Sequence, residues 1–367
     1  MKEQNLKKLN DSRAIRWGAL AIVAFTMMAA YYVNDVVAPL KTMLETDLAW
    51  SSTDFGFFTG GYSFLNVFFL MLIWGGLILD RFGIRFTGKL ATILMVGGTA
   101  LEYYAMTGLA GADATLFGIN EIFGYKTGVF VAFAGYSIFG VGAEVAGITV
   151  SKIIAKWFKG KELATAMGVQ VALARIGSQA GYAVAIPLAR AFGISTPVLL
   201  GLVLLLGGMI AFFIFAVMDK KLDKQMEAAA IAAGTADEEE KFSFKDVKNI
   251  LVNPGFWLIA LLCVLFYSCV FPFQKFASEL MIIKYGINEN VAGTFAGLPA
   301  LGALILTPVF GGFIDKRGKS ASIMLLGSAM LICVHFIYAI PDINYWLVAI
   351  VLMIILGIAF SLVPSAM

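Results

Sequence analysis

Two short stretches of the sequence indicate how the chain is organised: GLILDRFGIR at residues 76–85 and GGFIDKRGK at residues 311–319. Both follow the pattern G-x-x-x-D-[R/K]-x-G, and each comes directly after a long apolar run. They also stand in equivalent places, after the second and the eighth apolar run of the chain. Two unrelated basic loops would not share this spacing of glycine and aspartate. The sequence therefore indicates two related halves, an organisation known among membrane transporters.

The composition is that of a membrane protein. Apolar residues make up 60% of the 367 residues and charged residues only 14%, against about 45–50% and about 25% in soluble domains. Such a chain has too few polar groups to cover the surface of a globule of this size. The composition therefore excludes a soluble enzyme, a nucleic-acid-binding protein and a disordered chain. It predicts an all-helical, multi-pass membrane protein.

Runs of about twenty apolar residues mark the predicted spans. There are ten of them, at residues 15–38, 56–79, 86–108, 126–155, 163–189, 196–218, 256–283, 291–314, 321–340 and 345–367. Most of the 27 lysines and arginines fall on the side that holds the N-terminus, which predicts that this side is cytoplasmic. We therefore expect an integral membrane protein with a cytoplasmic N-terminus, in the cell (inner) membrane if the source is bacterial.

One loop differs from the others. Residues 219–253 are rich in lysines and acids, and such charge blocks are typical of solvated linkers. The expected organisation is an N-terminal six-helix bundle over 1–218, a cytoplasmic linker over 219–253 and a partial C-terminal bundle over 254–367. Near the end of the linker, four apolar residues on one helical face predict a short helix on the membrane surface: Phe244, Val247, Ile250 and Leu251.

The paired loops resemble a motif of the major facilitator superfamily. This resemblance implies two six-helix bundles, the second incomplete here, related by a rotation about the membrane normal. The motif's glycines permit a tight turn, and its carboxylate can pair with a basic residue in one state of the transport cycle and lose that contact in the other. The expected gating residues are Asp80, Arg81, Gly83 and Arg85 in the first loop and Asp315, Lys316 and Gly318 in the second.

The second half is short for this architecture. Four spans follow Asp80 before the linker, whereas fewer than two follow Asp315. A transporter of two halves needs both of them around its midplane site. We therefore expect a chain that lacks the rest of helix ten and two further helices. The alternative is a genuine ten-helix protein.

Two charged residues lie deep in neighbouring predicted spans. Glu144 lies in the fourth span and Arg175 in the fifth, on either side of a turn near Gly160. At 1.5 Å per residue both lie roughly 23 Å from the turn, at one level near the midplane. Charges are costly in a bilayer, so each is a candidate functional residue. They form either a structural ion pair or a divided site, in which Arg175 binds a carboxylate and Glu144 binds an ammonium group or a proton.

The turn between these spans sharpens the resemblance. The stretches WFKGKEL at 157–163 and ARIGS at 174–178 are similar to the branch of the superfamily that contains lysosomal dipeptide transporters. That similarity implies transport of small peptides, with Glu144 and Arg175 at the two peptide termini. In the family, helices one, four, seven and ten line the central cavity, which implies further lining residues: Tyr31, Asn34 and Tyr267.

Further charges lie in helices one and seven. Asp35 and Lys275 both lie roughly 28 Å from the cytoplasmic side. Because these helices are equivalents in the two halves, the two residues form an outer-gate pair in one interpretation. In the other they are separate side chains that reach toward the interface. Glu102 and His335 lie in helices that are peripheral in the family, so we expect packing roles for them.

Other functions are weighed against the same residues. The main alternative is a proton-coupled organic-anion or drug transporter of the same superfamily, with Glu144 as the proton carrier. A non-transporting membrane receptor does not account for the duplicated loops. An enzyme lacks its chemistry, because the chain has a single histidine and neither an HExxH nor a GxSxG motif.

We expect no cofactor and no metal. The three cysteines lie in apolar runs without ligand spacing and are expected to be small buried residues: Cys263, Cys269 and Cys333. The expected partners are a small-molecule or peptide substrate and the lipid bilayer, with no nucleic acid. An accessory subunit is neither indicated nor excluded.

Overall fold

The apolar runs form long helices in the computed structural model, which describes residues 8–111, 114–233, 251–317 and 319–366. The helices are α1 (Arg13–Val36), α2 (Lys41–Asp47), α3 (Ser52–Phe68), α4 (Met71–Thr107), α5 (Thr127–Trp157), α6 (Leu163–Phe192), α7 (Thr196–Ala233), α8 (Pro254–Ile283), α9 (Glu289–Ala296), α10 (Leu298–Arg317), α11 (Ser320–Ala339) and α12 (Trp346–Ala366). Other described elements are 3₁₀ turns at Leu9–Asp11 and Ala38–Leu40 and an antiparallel hairpin of β1 (Glu121–Ile122) and β2 (Tyr125–Lys126).

Helix occupies each of the ten predicted spans. Among the described residues, seven helices are long and apolar enough to cross a membrane. The number rises to eight when α3 and α4, which are bent by 58° where they meet, are taken as one span. The spans predicted at 56–79 and 86–108 share α4, which is interrupted at Gly83. There φ is +73°, a conformation that favours glycine, so the tight turn predicted at this position is present.

The sixth long helix is longer than its apolar run. α7 continues past residue 218 to Ala233, so the first part of the predicted linker is helical. The extension is held by Asp219, which is fully buried and accepts hydrogen bonds from Lys156 Nζ at 2.8 Å and from the indole of Trp157 at 3.0 Å. The predicted surface helix lies outside the described residues except for Leu251, which is exposed.

The buried apolar side chains form two clusters. One is built from the helices α1 to α7 and their turns and contains Val23, while the other is built mainly from α8 to α12 and contains Val270. Ala38 and Tyr182, from the first group of helices, belong to the second cluster. This grouping supports the division into two bundles, which we keep as a proposal.

The cysteines and the histidine on α8 and α11 lie in different environments. Cys269 and Cys333 are exposed on α8 and α11, so the expectation that all three cysteines are buried is wrong for these two. His335 lies with its ring nitrogens 2.9 Å from Leu331 O and 3.1 Å from Cys269 O. Its ring therefore packs α11 against α8.

Several contacts join the two groups of helices at one end. We call the end that holds the N-terminus and the turn at Gly83 the basic side, and the opposite end the far side. At the far side Lys41 is almost completely buried, with its Nζ 2.5 Å from Glu279 Oε1. The Tyr182 hydroxyl donates a hydrogen bond to Gln274 O at 3.1 Å. The groups α1–α7 and α8–α12 are thus held together at the far side.

Candidate functional site

A cavity of about 530 Å³ lies between α1, α3, α5 and α8. Its size suits a small molecule. Five residues selected from the sequence line it: Tyr31, Asn34, Asp35, Glu144 and Lys275. Arg175 and Tyr267 do not line the cavity, and their contacts place them next to its lining residues.

Glu144 lies on α5 in a glycine-rich segment. A Cβ atom at Gly140 would lie 2.4 Å from the Tyr62 backbone oxygen, so α3 and α5 approach this closely only because residue 140 is glycine. The close packing brings the Tyr62 hydroxyl to 2.7 Å from Glu144 Oε1, to which it donates a hydrogen bond. Among the described residues no base forms an ion pair with Glu144. Its carboxylate is therefore held in position without a countercharge.

Arg175 lies on α6 with its guanidinium against two rings. The guanidinium carbon is 5.6 Å from the centre of the Tyr31 ring and 5.0 Å from that of Phe360, within the range of cation–π attraction. The position follows from Gly177, where a Cβ atom would lie 2.1 Å from the Met28 backbone oxygen, so α1 and α6 meet at backbone distance. In the described part of the chain the guanidinium has no hydrogen-bond acceptor and no ion pair.

Glu144 and Arg175 are not paired with each other in the described structure. The structural ion pair between α5 and α6, one of the two interpretations of the sequence, is therefore absent there. Both residues lie within electrostatic range of Tyr31, which lines the cavity and carries Arg175 on its ring. The arrangement is that of two separate opposite charges next to one aromatic ring. Together they can bind a small solute that carries both charges.

A network of polar groups forms the far end of the cavity. Lys275 Nζ donates to Asn34 O at 2.5 Å and to the Tyr136 hydroxyl at 3.1 Å, and it lies 3.5 Å from Asp35 Oδ1. The Tyr136 hydroxyl in turn donates to Asn34 O at 2.7 Å. Asp35 and Lys275 lie in contact, as in one of the two interpretations of the sequence, and the contact joins α1 to α8. A gating role for this pair stays a prediction.

The first loop motif is tied to two neighbouring helices. Asp80 Oδ1 accepts a hydrogen bond from Lys152 Nζ on α5 at 2.9 Å, at an exposed position. Arg85 pairs with Asp219, at 3.4 Å, and with Asp223, both on α7. The acid of the motif therefore contacts α5, and its second base contacts α7.

The other motif residues make fewer described contacts. Arg81 is exposed, with its guanidinium carbon 5.5 Å from the centre of the Phe82 ring. Lys316 is exposed as well. Gly318 and the side chain of Asp315 lie outside the described residues, so the gating role predicted for the second loop stays a prediction.

Sequence reasoning missed three aromatic residues of the site: Tyr62, Tyr136 and Phe360. Tyr62 lies on α3, which is not among the helices that the resemblance implies as lining. Phe, Trp and Tyr make up 13% of the chain, so no local signal singles these three out. Only the rotation of each helix about its own axis shows which rings turn inward. No group of three or more His, Cys, Asp or Glu side chains suited to a metal occurs in the described ranges.

Comparison with known proteins identifies the fold and its relatives. The family model of the Major Facilitator Superfamily matches residues 19–367. The lysosomal dipeptide transporter MFSD1 of Homo sapiens is 27% identical over 362 residues, which cover 95% of this chain and 70% of the relative.

Solved structures of the same architecture align over most of the chain. The xylose transporter XylE from E. coli, in a partially occluded inward-open conformation, aligns with a TM-score of 0.64 at 15% identity, over 96% of this chain and 85% of that one. Tetrameric PepTSo2 aligns with a TM-score of 0.63 at 14% identity, over 95% of this chain and 82% of that one. At such low identity these structures show only that the fold is shared.

Proposed function

The chain belongs to the Major Facilitator Superfamily, and on that premise we propose that it moves dipeptides, or similar small amphoteric solutes, across the membrane by alternating access. It is a membrane transporter and not an enzyme, with the all-α major facilitator fold expected from the sequence. The choice of small peptides is supported by the human relative, whose name is that of a lysosomal dipeptide transporter.

One observation carries the proposal: a carboxylate and a guanidinium lie near the same tyrosine without pairing. Glu144 has a hydrogen-bond donor in Tyr62 but no countercharge, and Arg175 rests on rings without an acceptor in the described structure. Unpaired charges are costly at this depth of a membrane. A solute that brings an ammonium group to Glu144 and a carboxylate to Arg175 neutralises both at once. A zwitterion supplies the two groups in one molecule.

A dipeptide carries its two charges at opposite ends. Its extended length is about 7 Å, so its two ends can reach two separate groups. The planar guanidinium of Arg175 binds a carboxylate through two parallel hydrogen bonds, and the rings of Tyr31 and Phe360 restrict its orientation. The cavity of about 530 Å³ leaves space for the side chains of the peptide.

Alternating access needs contacts that hold one state and break in the other. In this structure such contacts join the helix groups at the far side, through Lys41 with Glu279 and through Asp35 with Lys275. We infer that the site is reached from the basic side in this state. The loop of Asp80 lies on the basic side, where its ion pair with Lys152 is placed to bias the equilibrium between states.

The test is solute-induced thermal stabilisation of the purified protein. Three ligands are compared: a free dipeptide, the same dipeptide with an acetylated amino terminus, and the same dipeptide with an amidated carboxyl terminus. The free dipeptide should raise the melting temperature in a saturable way, and each blocked form should bind more weakly. Loss of one charge-assisted hydrogen bond costs about 1.5–3 kcal/mol, a tenfold loss of affinity or more.

Two variants assign the ends of the peptide. Glu144→Gln should weaken the free peptide much more than the acetylated one, and Arg175→Lys should abolish most of the binding because an ammonium cannot replace the planar fork. Glu121→Gln and Arg13→Lys are matched controls, since Glu121 is exposed without an ion pair in the described structure and the Arg13 side chain is 75% exposed at the basic side. If Glu144→Gln weakens the affinity for free and acetylated peptides equally, Glu144 does not bind the amino terminus. Stabilisation by organic anions but not by peptides would favour the organic-anion alternative.

A further inference from the structure

Four aromatic side chains form a cluster beside Arg175. Phe266, Tyr267 and Phe271 come from α8 and Phe360 comes from α12. The ring centres of Tyr267 and Phe271 are 5.2 Å apart and nearly parallel, and Phe360 lies 6.4 Å from Tyr267 and 6.2 Å from Phe271. Phe266 stacks on Phe360 at 6.4 Å. The cluster is thus a continuous apolar surface that spans two helices of the second group.

The rings of this aromatic cluster are not equally buried. Phe360 is 2% exposed and Phe266 is 3% exposed, whereas Phe271 is 46% exposed and lines the cavity. Phe266 and Phe360 therefore act as the packed base, and Phe271 presents its ring to the cavity. Tyr267 is half-buried, and in the described structure its hydroxyl makes no hydrogen bond. An apolar surface left open toward a solute cavity is available to an apolar ligand group.

The cluster is also next to the group proposed to hold the substrate carboxylate. The Arg175 guanidinium carbon lies 5.0 Å from the Phe360 ring centre, and Tyr267 lies within electrostatic range of Arg175. A peptide carboxylate on Arg175 places the side chain of its own residue only two bonds away. That side chain then meets Tyr267 and Phe271, whereas the amino end is directed to Glu144.

We propose that the aromatic cluster is a subsite for the side chain of the carboxyl-terminal residue, and that it selects aromatic and large aliphatic side chains. The inference rests on the proposed function, because the carboxylate on Arg175 determines which residue lies beside the rings. Transfer of an apolar side chain from water to the rings lowers the free energy of binding, and an aromatic side chain adds ring–ring contacts. A charged side chain would lose its hydration against the rings without finding a partner.

The test is a set of dipeptides that differ at one end. Dissociation constants are measured for Ala-Phe, Ala-Leu, Ala-Ala, Ala-Asp and the reversed peptide Phe-Ala, by thermal-shift titration of the purified protein. Ala-Phe should bind about two- to tenfold more tightly than Ala-Ala, with Ala-Leu between them and Ala-Asp weakest. Phe-Ala should bind more weakly than Ala-Phe, because its ring is attached to the amino-terminal residue.

Variants connect the preference to the rings. Phe271→Ala and Tyr267→Leu should each bring the affinity ratio of Ala-Phe to Ala-Ala toward one. The control Phe336→Ala removes a ring that is 70% exposed on α11, away from the cavity, and should leave the ratio as in the unmodified protein. An affinity ratio of Ala-Phe to Ala-Ala near one in the unmodified protein would overturn the subsite. So would a ratio that is unchanged in both cluster variants. Because the unmodified protein is measured too, a variant that fails to fold does not decide the result.

The outcomes separate this inference from the function on which it rests. If no dipeptide in the set binds, the proposed function fails and the subsite fails with it. If the dipeptides bind with equal affinity whatever their carboxyl-terminal residue, the proposed function stands and the subsite alone is rejected.

Discussion

Lys41 and Glu279 form a buried ion pair between the two helix groups. Lys41 is 1% exposed, and its Nζ lies 2.5 Å from Glu279 Oε1, 2.7 Å from Glu45 Oε1 and 2.8 Å from Ser52 Oγ. Glu45 and Ser52 belong to the same group of helices as Lys41, whereas Glu279 belongs to the other. The Lys41 ammonium is therefore already hydrogen-bonded by residues of its own group of helices. The pair with Glu279 adds the contact that depends on closure of the far side.

Removing this contact should weaken the closed far side. Glu279→Gln is expected to lower the melting temperature, since a charge-assisted hydrogen bond to a buried ammonium is worth about 1.5–3 kcal/mol. In a Lys41→Met background Glu279→Gln should have a smaller effect, because the ammonium that Glu279 contacts is then absent. Glu121→Gln, at an exposed position that forms no ion pair in the described structure, is the control and should have little effect. Strictly additive effects of the two changes would show that the pair is not coupled.

The contact of Arg175 with Phe360 leads to a second prediction. Phe360→Leu keeps an apolar side chain but removes the ring face, so the guanidinium loses one of its two aromatic supports. Affinity for Ala-Ala, whose side chains are too small to depend on the aromatic cluster, should fall by about two- to thirtyfold, as expected for a cation–π contact of 0.5–2 kcal/mol. Thermal-shift titration measures it, with Phe336→Leu as the control. Unchanged affinity would mean that Tyr31 alone orients Arg175.

The helices of this fold could be predicted from the sequence, and most side-chain partners could not. Apolar length predicts which segments form membrane-spanning helices, and counting residues predicts the depth of Glu144 and Arg175. Depth does not give the direction in which a side chain leaves its helix. Arg175 therefore meets Tyr31 and Phe360 rather than Glu144, although both charges are expected at one level. The pair of Lys41 with Glu279 was missed for the same reason.

The end of α7 illustrates a second limit. The charged residues after 218 have the composition of a solvated linker, yet the helix continues to Ala233. Asp219 is buried because Lys156 and Trp157 on α5 supply donors for its carboxylate. Composition predicts the conformation that a segment adopts by itself, whereas this segment is stabilised by residues that are far away in the sequence. The glycine turn at Gly83 is the opposite case, since its conformation depends on the residue itself.

A third prediction concerns acid and the turn between α5 and α6. Glu162 accepts a hydrogen bond from Arg16 Nη2 at 2.7 Å, and this bond holds the pKa of Glu162 below its ordinary value of 4.5. Since folding lowers this pKa, the contact stabilises the protein fully above pH 4.5 and is lost as the pH falls through the lowered pKa. Glu162→Gln should therefore lower the melting temperature near neutral pH.

The same difference in melting temperature should shrink as the pH falls, because Glu162 in the unmodified protein takes up a proton and becomes neutral, as glutamine is. Melting curves of both proteins are recorded from neutral pH down to about pH 3. Glu121→Gln serves as the control, because Glu121 is exposed on the β1 strand and forms no ion pair in the described structure. A difference that persists unchanged at the lowest pH would show that the charge of Glu162 is not its cause.

A fourth prediction concerns the first loop motif. Asp80 and Lys152 form an ion pair at 2.9 Å, with side chains 53% and 43% exposed, so it contributes little to stability. Asp80→Asn should therefore fold normally and bind solute with nearly unchanged affinity, while uptake into proteoliposomes slows. Asp47→Asn, at an exposed position at the end of α2 on the far side, is the control. Unchanged uptake with unchanged binding would exclude a gating role for Asp80.

The last prediction concerns Glu102 on α4. Its side chain is completely buried, and neither carboxyl oxygen has a hydrogen-bond partner in the described structure. Packing is tight around it, since a Cβ atom at Gly135 on α5 would lie 2.9 Å from the Glu102 backbone nitrogen. A buried carboxyl group without partners costs free energy whether or not it carries its proton. If Glu102 has only a packing role, Glu102→Leu should raise the melting temperature, and Glu102→Gln, which keeps a polar group there, should not. Uptake by the Leu variant should stay near that of the unmodified protein. A stable Leu variant with little uptake would contradict the packing role and give Glu102 a part in the transport cycle, where a carboxyl group is needed in a state other than this one.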